Sequence, residues 1–157
     1  MIPICIVPTG SGIFLVSNQQ TMSEETNSAM APGQFGWNEL LTSDIEAAKK
    51  FYGDLFGWES ETKTMAPGWN YTLFKKGESM VGGALEITPE MGSLPPHWLS
   101  YVMSTDIQAD LEKAKAAGGT VLKEPMDVPN TGTLAIVQDP QGAVFALWKC
   151  MINPGCD

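Results

Sequence analysis

Displaced by 62 residues, segment 35–86 of this chain falls on segment 97–148 without a gap. Asp44 meets Asp106, Ile45 meets Ile107, Ala47 meets Ala109 and Gly57 meets Gly119. Pro67 meets Pro129, Ala84 meets Ala146 and Leu85 meets Leu147. The identities are few, but the frame around them repeats, and an internal repeat constrains a fold more than any single motif. Each copy opens on a short apolar and aromatic run, "FGWNELLT" or "HWLSYVMS", that reads as a strand. Each run leads into Ser/Thr–Asp, a helix N-cap signal. Ile45, Ala48, Tyr52 and Leu55 then recur at helical spacing, as do Ile107, Leu111, Ala114 and Ala117. Both helices are expected to stop at glycine, Gly57 in one copy and Gly118–Gly119 in the other, where a left-handed cap is easy.

Three strands are predicted after each helix. They are "WESETKTM", "WNYTLFKK" and "MVGGALEI" in the first copy, and "TVLKEP", "GTLAIVQD" and "AVFALWKC" in the second. "DPQG" at 139–142 has the chemistry of a hairpin turn, and "KKGES" at 75–79 stands in the matching place. Each copy is therefore βαβββ, and the fold class is α+β. A single domain over 32–150 is built from tandem βαβββ modules at 33–88 and 95–150, with a tail at 151–157. One module alone makes a marginal core, and a second supplies the surface it needs.

Charge narrows the partners. The net charge is −9, and all nine cations are lysine. An acidic surface repels phosphate backbones, so nucleic acid and anionic membranes are not expected partners. Without arginine there is no bidentate clamp for a carboxylate or phosphate. Cys5, Cys150 and Cys156 lie near the chain ends and do not read as a disulfide framework or a zinc site, which points to a reducing, cytoplasmic setting. Residues 1–31 hold no run long enough to span a membrane and no basic signal region, since the first lysine is Lys49. "IPICIVP" and "GIFLV" could form short strands, but a disordered leader and linker is expected there, with Met22 as a possible second start.

The segments "WNELLTSDIEAAKKFYGDLFGWE", "PPHWLSYVMSTDIQADLEKAKAAGGTVL" and "DVPNTGTLAIVQDPQGAVFALWK" resemble the vicinal oxygen chelate superfamily. It holds glyoxalase I, extradiol dioxygenases, fosfomycin-resistance enzymes and bleomycin-resistance proteins. The resemblance covers about 35–149 and is nearest to small glyoxalase/bleomycin-resistance proteins of uncertain activity. It implies an open, cup-shaped mixed sheet with helices outside, a homodimer, and a divalent metal in the cup. The family's ligand positions lie seven residues before each helix-start aspartate and seven after the "DP" aspartate. Here they fall on Trp37, Leu99 and Ala146, and the repeat carries Ala146 back to Ala84. None has a donor atom for a divalent cation. A one-residue slip brings in Gly36 or Asn38, Trp98 or Ser100, Phe145 or Leu147, and Gly83 or Leu85, which still make no site. A two-residue slip brings in Glu39, Glu86 and His97, an alternative metal set, although a histidine after Pro95–Pro96 also suits a hydrogen-bonded loop.

Strand alternation predicts an inward set of Phe35, Trp37, Glu39, Ala84, Glu86, His97, Leu99, Tyr101, Val144, Ala146 and Trp148. Large aromatics would face alanine and glycine, leaving room for a flat apolar ligand, or the indoles would fill the space themselves. Glu39 is the candidate catalytic or anchoring group, because a carboxyl in an apolar cup has a raised pKa; the alternative is a Glu that reaches solvent at the cup mouth. Gly82–Gly83 within a strand points to a bulge or a close approach. Phe51, Tyr52 and Phe56 are expected to pack rather than bind. The expected function is metal-free binding of a small apolar or aromatic molecule, without a cofactor. The alternative is a metal-dependent lyase or dioxygenase using the displaced set. Glyoxalase I activity is not expected, since the ligands and any arginine for glutathione are missing.

Overall fold

A computed structural model describes residues 30–66, 68–129 and 131–151. The expectations for a leader over 1–29, for its two short strands and for the end of the tail lie outside these residues. The elements run β1 (Phe35–Thr42), α1 (Ile45–Phe56), β2 (Glu59–Ala66), β3 (Trp69–Lys76) and β4 (Ser79–Glu86) in the first module. A short 3₁₀ turn at Pro89–Met91 leads to the second. It comprises β5 (His97–Met103), α2 (Ile107–Ala116), β6 (Thr120–Val128), β7 (Gly132–Gln138) and β8 (Val144–Cys150). The expected βαβββ order holds in both.

Local chemistry fixes these limits. The Asp44 carboxylate accepts from the Ala47 N–H at 2.9 Å, and the Asp106 carboxylate from Ala109 at 3.1 Å, so each aspartate caps a helix start. Gly57 ends α1 in the left-handed conformation, φ 65°, a geometry that costs glycine nothing. In the β7–β8 turn, the Asp139 carboxylate accepts from the Gln141 and Ala143 N–H groups, so that aspartate organises the hairpin.

All the strands join one open sheet in the order β2-β3-β4-β1-β5-β8-β7-β6. The modules meet edge to edge through antiparallel β1 and β5. Asn38 lies directly opposite Ser100 at this seam, and the Ser100 hydroxyl donates to the Asn38 side chain at 2.8 Å. These are matching positions of the repeat, 62 residues apart, so the local two-fold relation between modules passes through this pair.

Both helices cover the same face. On the α1 side Leu40, Phe74 and Ala84 form the core with Ile45, Ala48, Tyr52 and Trp58 against them. On the α2 side Ile107 and Leu111 pack on Ala135, Val137 and Leu147. The two helices are unequal. α2 buries Ile107 and Leu111, whereas α1 buries no residue fully. Leu55, expected in the core from its spacing, is 57% exposed, and Phe51 is 58% exposed. Tyr52 does pack as expected, between Trp58, Phe74 and Trp98, with ring centroids 5.4–5.8 Å away. The Trp98 indole donates to its hydroxyl at 2.9 Å.

Cys150 closes β8 and is disulfide-bonded, a departure from the reduced thiols expected of the sequence. Among the described residues no helix is long and apolar enough to cross a membrane.

Candidate site on the helix-free face

The opposite face of the sheet carries Trp37 and Glu39 from β1, Leu99 and Tyr101 from β5, and Ala146 and Trp148 from β8. Cross-strand pairing puts Trp37 beside Tyr101, Glu39 beside Leu99, and Tyr101 beside Ala146. Residues paired across neighbouring strands share a face, so these six expected residues are brought together. Leu99, Tyr101 and Ala146 are buried, with Trp37, Ile136 and Trp148 packed over them. Trp37 and Trp148 are only half-buried, so the indoles line this face without sealing it.

Three expected members lie elsewhere. Ala84 pairs with Leu40 and packs under α1, and Glu86, two residues on, pairs with Thr42 and is exposed. The inward residue of β4 is Gly83, the partner of Glu39. In the sheet, Leu40 pairs with Ala84 as its repeat mate Val102 pairs with Leu147. Ala84 therefore corresponds to Leu147, and the gapless repeat is one residue out of step at β4. Phe35 is corrected for a related reason. The β1–β5 register shifts between Phe35 and Trp37, so Phe35 pairs with Val102, a residue packed toward α2, and is 69% exposed. Val144, at the start of β8, is 39% exposed. His97 pairs with Leu41, and its Nδ1 lies 2.7 Å from the Pro95 carbonyl oxygen, the loop-type bond weighed for it.

Sequence reasoning missed Tyr71. This β3 residue accepts from the Trp37 indole N–H at 2.8 Å. Its position depends on Gly83, because a Cβ there would stand 1.9 Å from the Tyr71 hydroxyl and 3.1 Å from Trp37 Nε1. The expected close approach at Gly82–Gly83 is thus a phenol against backbone. Only the glycine in β4 signalled it.

Glu39 is 6% exposed, and its Oε1 accepts from the Tyr101 hydroxyl at 2.7 Å. Tyr71 also bears on the carboxyl. Burial pushes the Glu39 pKa above its usual 4.5, and hydrogen bonds from Tyr101 and then Tyr71 offset part of that rise. Burial, followed by the nearby carboxylate, pushes both phenols well above their ordinary value. The phenols therefore stay protonated as donors, and burial favours the neutral form of Glu39 more than it is favoured in a free carboxyl.

A divalent metal fits this donor set poorly. Trp37, Leu99, Ala146 and the corrected fourth position, Gly83, offer no ligand atom. Glu86 projects on the other side of the sheet from Glu39 and His97, so the displaced set does not converge. No group of three His, Cys, Asp or Glu suited to a metal occurs among the described residues.

Two hollows lie among other described residues. One, of about 330 Å³, is bounded by the start of α1, Phe51 and Pro96; the other, of about 360 Å³, by Pro32, Met103 and Lys149. Neither gathers buried polar groups as Glu39 does.

The chain belongs to the glyoxalase/bleomycin resistance protein/dioxygenase superfamily, which it matches over residues 34–147. Among its relatives is a protein of Mycobacterium tuberculosis provisionally named glyoxylase CFP32, 38% identical over 90% of this chain and 53% of that protein. The anthracycline biosynthesis protein DauV of a Streptomyces species is 30% identical over 81% of this chain and 50% of its own length. The chain thus spans about half the length of these relatives. Lactoylglutathione lyase of Haemophilus influenzae is 31% identical over 66% of this chain and 82% of the enzyme. Among solved structures, methylmalonyl-CoA epimerase from M. tuberculosis superposes with a TM-score of 0.55 at 12% identity, over 79% of this chain and 94% of that one. That likeness shows the fold.

Proposed function

We propose that this domain binds a small apolar or aromatic molecule, without a metal, on the helix-free face above Glu39. The observation that carries the reading is the composition of that face. Carbon-only, glycine or indole groups stand at the superfamily's ligand positions, and a single buried carboxyl held by a phenol lies between them. Trp37, Ile136 and Trp148 offer flat or branched apolar surface over Leu99 and Ala146. Glu39 and its tyrosines supply the few polar contacts that fix an orientation. The relative in anthracycline biosynthesis supports this ligand class, since anthracyclines are built on flat fused aromatic rings.

Such a protein sequesters, carries or presents its ligand, and Glu39 is the group able to act on it. The metal-dependent lyase or dioxygenase reading is not carried forward, because Glu39, Glu86 and His97 do not converge. A homodimer accompanies the proposal, by family resemblance alone; light scattering reads the assembly. The function is tested by screening aromatic compounds against intrinsic tryptophan fluorescence of the full chain. Saturable shifts at micromolar concentration support it. A library that leaves the emission unmoved, alongside a large thermal shift on adding Zn, Mn or Ni, overturns it.

A further inference from the structure

The outer side of α1 is apolar and uncovered. Phe51, Leu55 and Phe56 on α1 and Trp98 on β5 are all exposed. The three rings belong to one cluster around Tyr52, with centroids 5.1 Å away for Phe51, 6.3 Å for Phe56 and 5.4 Å for Trp98. The hollow of about 330 Å³ opens beside them, between Ala47, Ala48, Phe51 and Pro96. The repeat does not require this surface. At the matching positions of the second module stand Lys113, Ala117 and Gly118, and Lys113 is ion-paired with Asp110. An apolar face that only one helix of a duplicated pair carries, with charge along its rim, has the make-up of a contact surface.

We propose that this face joins two copies of the chain, with α1 packed antiparallel on α1 about a two-fold axis. Charge argues for a second copy as the occupant. The chain carries a net −9, so most of its surface repels another acidic chain. α1 itself is neutral, with Glu46 and Asp54 against Lys49 and Lys50. Lys50 and Asp54 are exposed and 2.6 Å apart, and they form a charged row about 100° round the helix from the Phe51–Leu55 row. A two-fold axis puts the charged rows of both copies on the same side of the contact and reverses their order. Lys50 then stands by Asp54 of the partner subunit, and Asp54 by Lys50 of the partner subunit, as flanking charges do in paired helices. Phe51 meets Leu55 of the partner subunit across the axis. Since α2 has no such face, the contact is isologous and closes at two copies. This surface goes beyond the binding reading and gives the homodimer expected by resemblance a location. It lies on the other side of the sheet from Glu39, so each proposal stands without the other.

The test is sedimentation equilibrium of the full chain over a range of concentrations, with circular dichroism to check folding. The wild type should be a dimer that dissociates on dilution. In dilute protein, where the copies separate, exposed residues such as Leu55 return to water and weigh little on folding. Phe51→Glu should raise the Kd by about thirtyfold or more, because a charge replaces an aromatic at the centre of the contact. Should that variant lose its fold, the exposed pair decides. Lys50→Asp should weaken the dimer about three- to tenfold by setting acid against acid, and adding Asp54→Lys should restore it. A contact made elsewhere would show no such rescue. A wild type that is monomeric at every concentration overturns the proposal, whether residues 1–29 or another protein covers the face instead. A dimer that a folded Phe51→Glu leaves unchanged, or that Lys50→Asp weakens without rescue, joins its copies through a different surface and overturns it too.

Discussion

The Tyr101 hydroxyl donates to Glu39 Oε1 at 2.7 Å, and the two residues occupy the same position in the two modules, 62 residues apart. Duplication placed a phenol and a carboxyl on either side of the seam, where each is the other's partner. The asymmetry is what gives this site its chemistry. An inward carboxyl beside a leucine and a glycine is costly, and the phenol from the other copy reduces that cost.

Glu39 should make stability depend on pH. The unfolded chain ionises this carboxyl near 4.5, whereas the folded chain, with the carboxyl buried, ionises it only at higher pH. Across that window the folded state holds more protons, so stability falls as pH rises, by up to about 1.4 kcal/mol per unit. Urea unfolding at several pH values should show this fall in the wild type and a flatter profile in Glu39→Gln.

Tyr101→Phe leaves the carboxyl with Tyr71 alone. It should cost about 1–3 kcal/mol, more at pH 8 than at pH 5, because the charged form depends more on its donors. An equal cost at both values would mean that the bond does not serve the charged form.

Gly83→Ala tests the close approach in β4. The added methyl meets the Tyr71 hydroxyl and Trp37 Nε1. Either Tyr71 moves and its bond from Trp37 is lost, or the sheet yields, at about 1–3 kcal/mol. Chemical denaturation gives the cost, and the Trp37 indole N–H resonance shows whether the bond persists.

The two helices should respond differently to truncation. Leu111 is fully buried, so Leu111→Ala should cost about 2–5 kcal/mol. Leu55→Ala, at an exposed position, should stay within about 0.5 kcal/mol.

Much of this was legible in the sequence because the signals were local. The N-cap aspartates, the glycine stops and the "DPQG" turn fix where elements begin and end, and the strands follow within a residue or two at most boundaries. β6 is the exception: "TVLKEP" stops at Pro125, whereas the strand runs to Val128. Six residues of the site followed from alternation within β1, β5 and β8. What failed was alternation carried across irregularities. A bulge turns Phe35 away, and the modules are already one residue out of step in β3, where Phe74 faces the core under α1 as Val137 faces the core under α2, so Ala84 falls on the wrong face. One residue reverses every side chain of a strand. Tyr71 was hidden because its role depends on contact with Gly83 and Trp37 from other strands. Leu55 misled because its spacing is helical, yet at the last turn of α1 it stays 57% exposed while Ile45, Ala48 and Tyr52 pack on the sheet.

The central claim concerns which face binds and what it binds, and the indole N–H resonances of the full chain read both. Trp37 and Trp148 lie on the helix-free face, while Trp58 and Trp98 pack with Tyr52 beneath α1. Titration with 1-acetonaphthone should shift the Trp37 and Trp148 signals together and leave Trp58 and Trp98 in place. If Trp58 and Trp98 move instead, or if the Trp37 signal answers only to a divalent cation, the account is wrong.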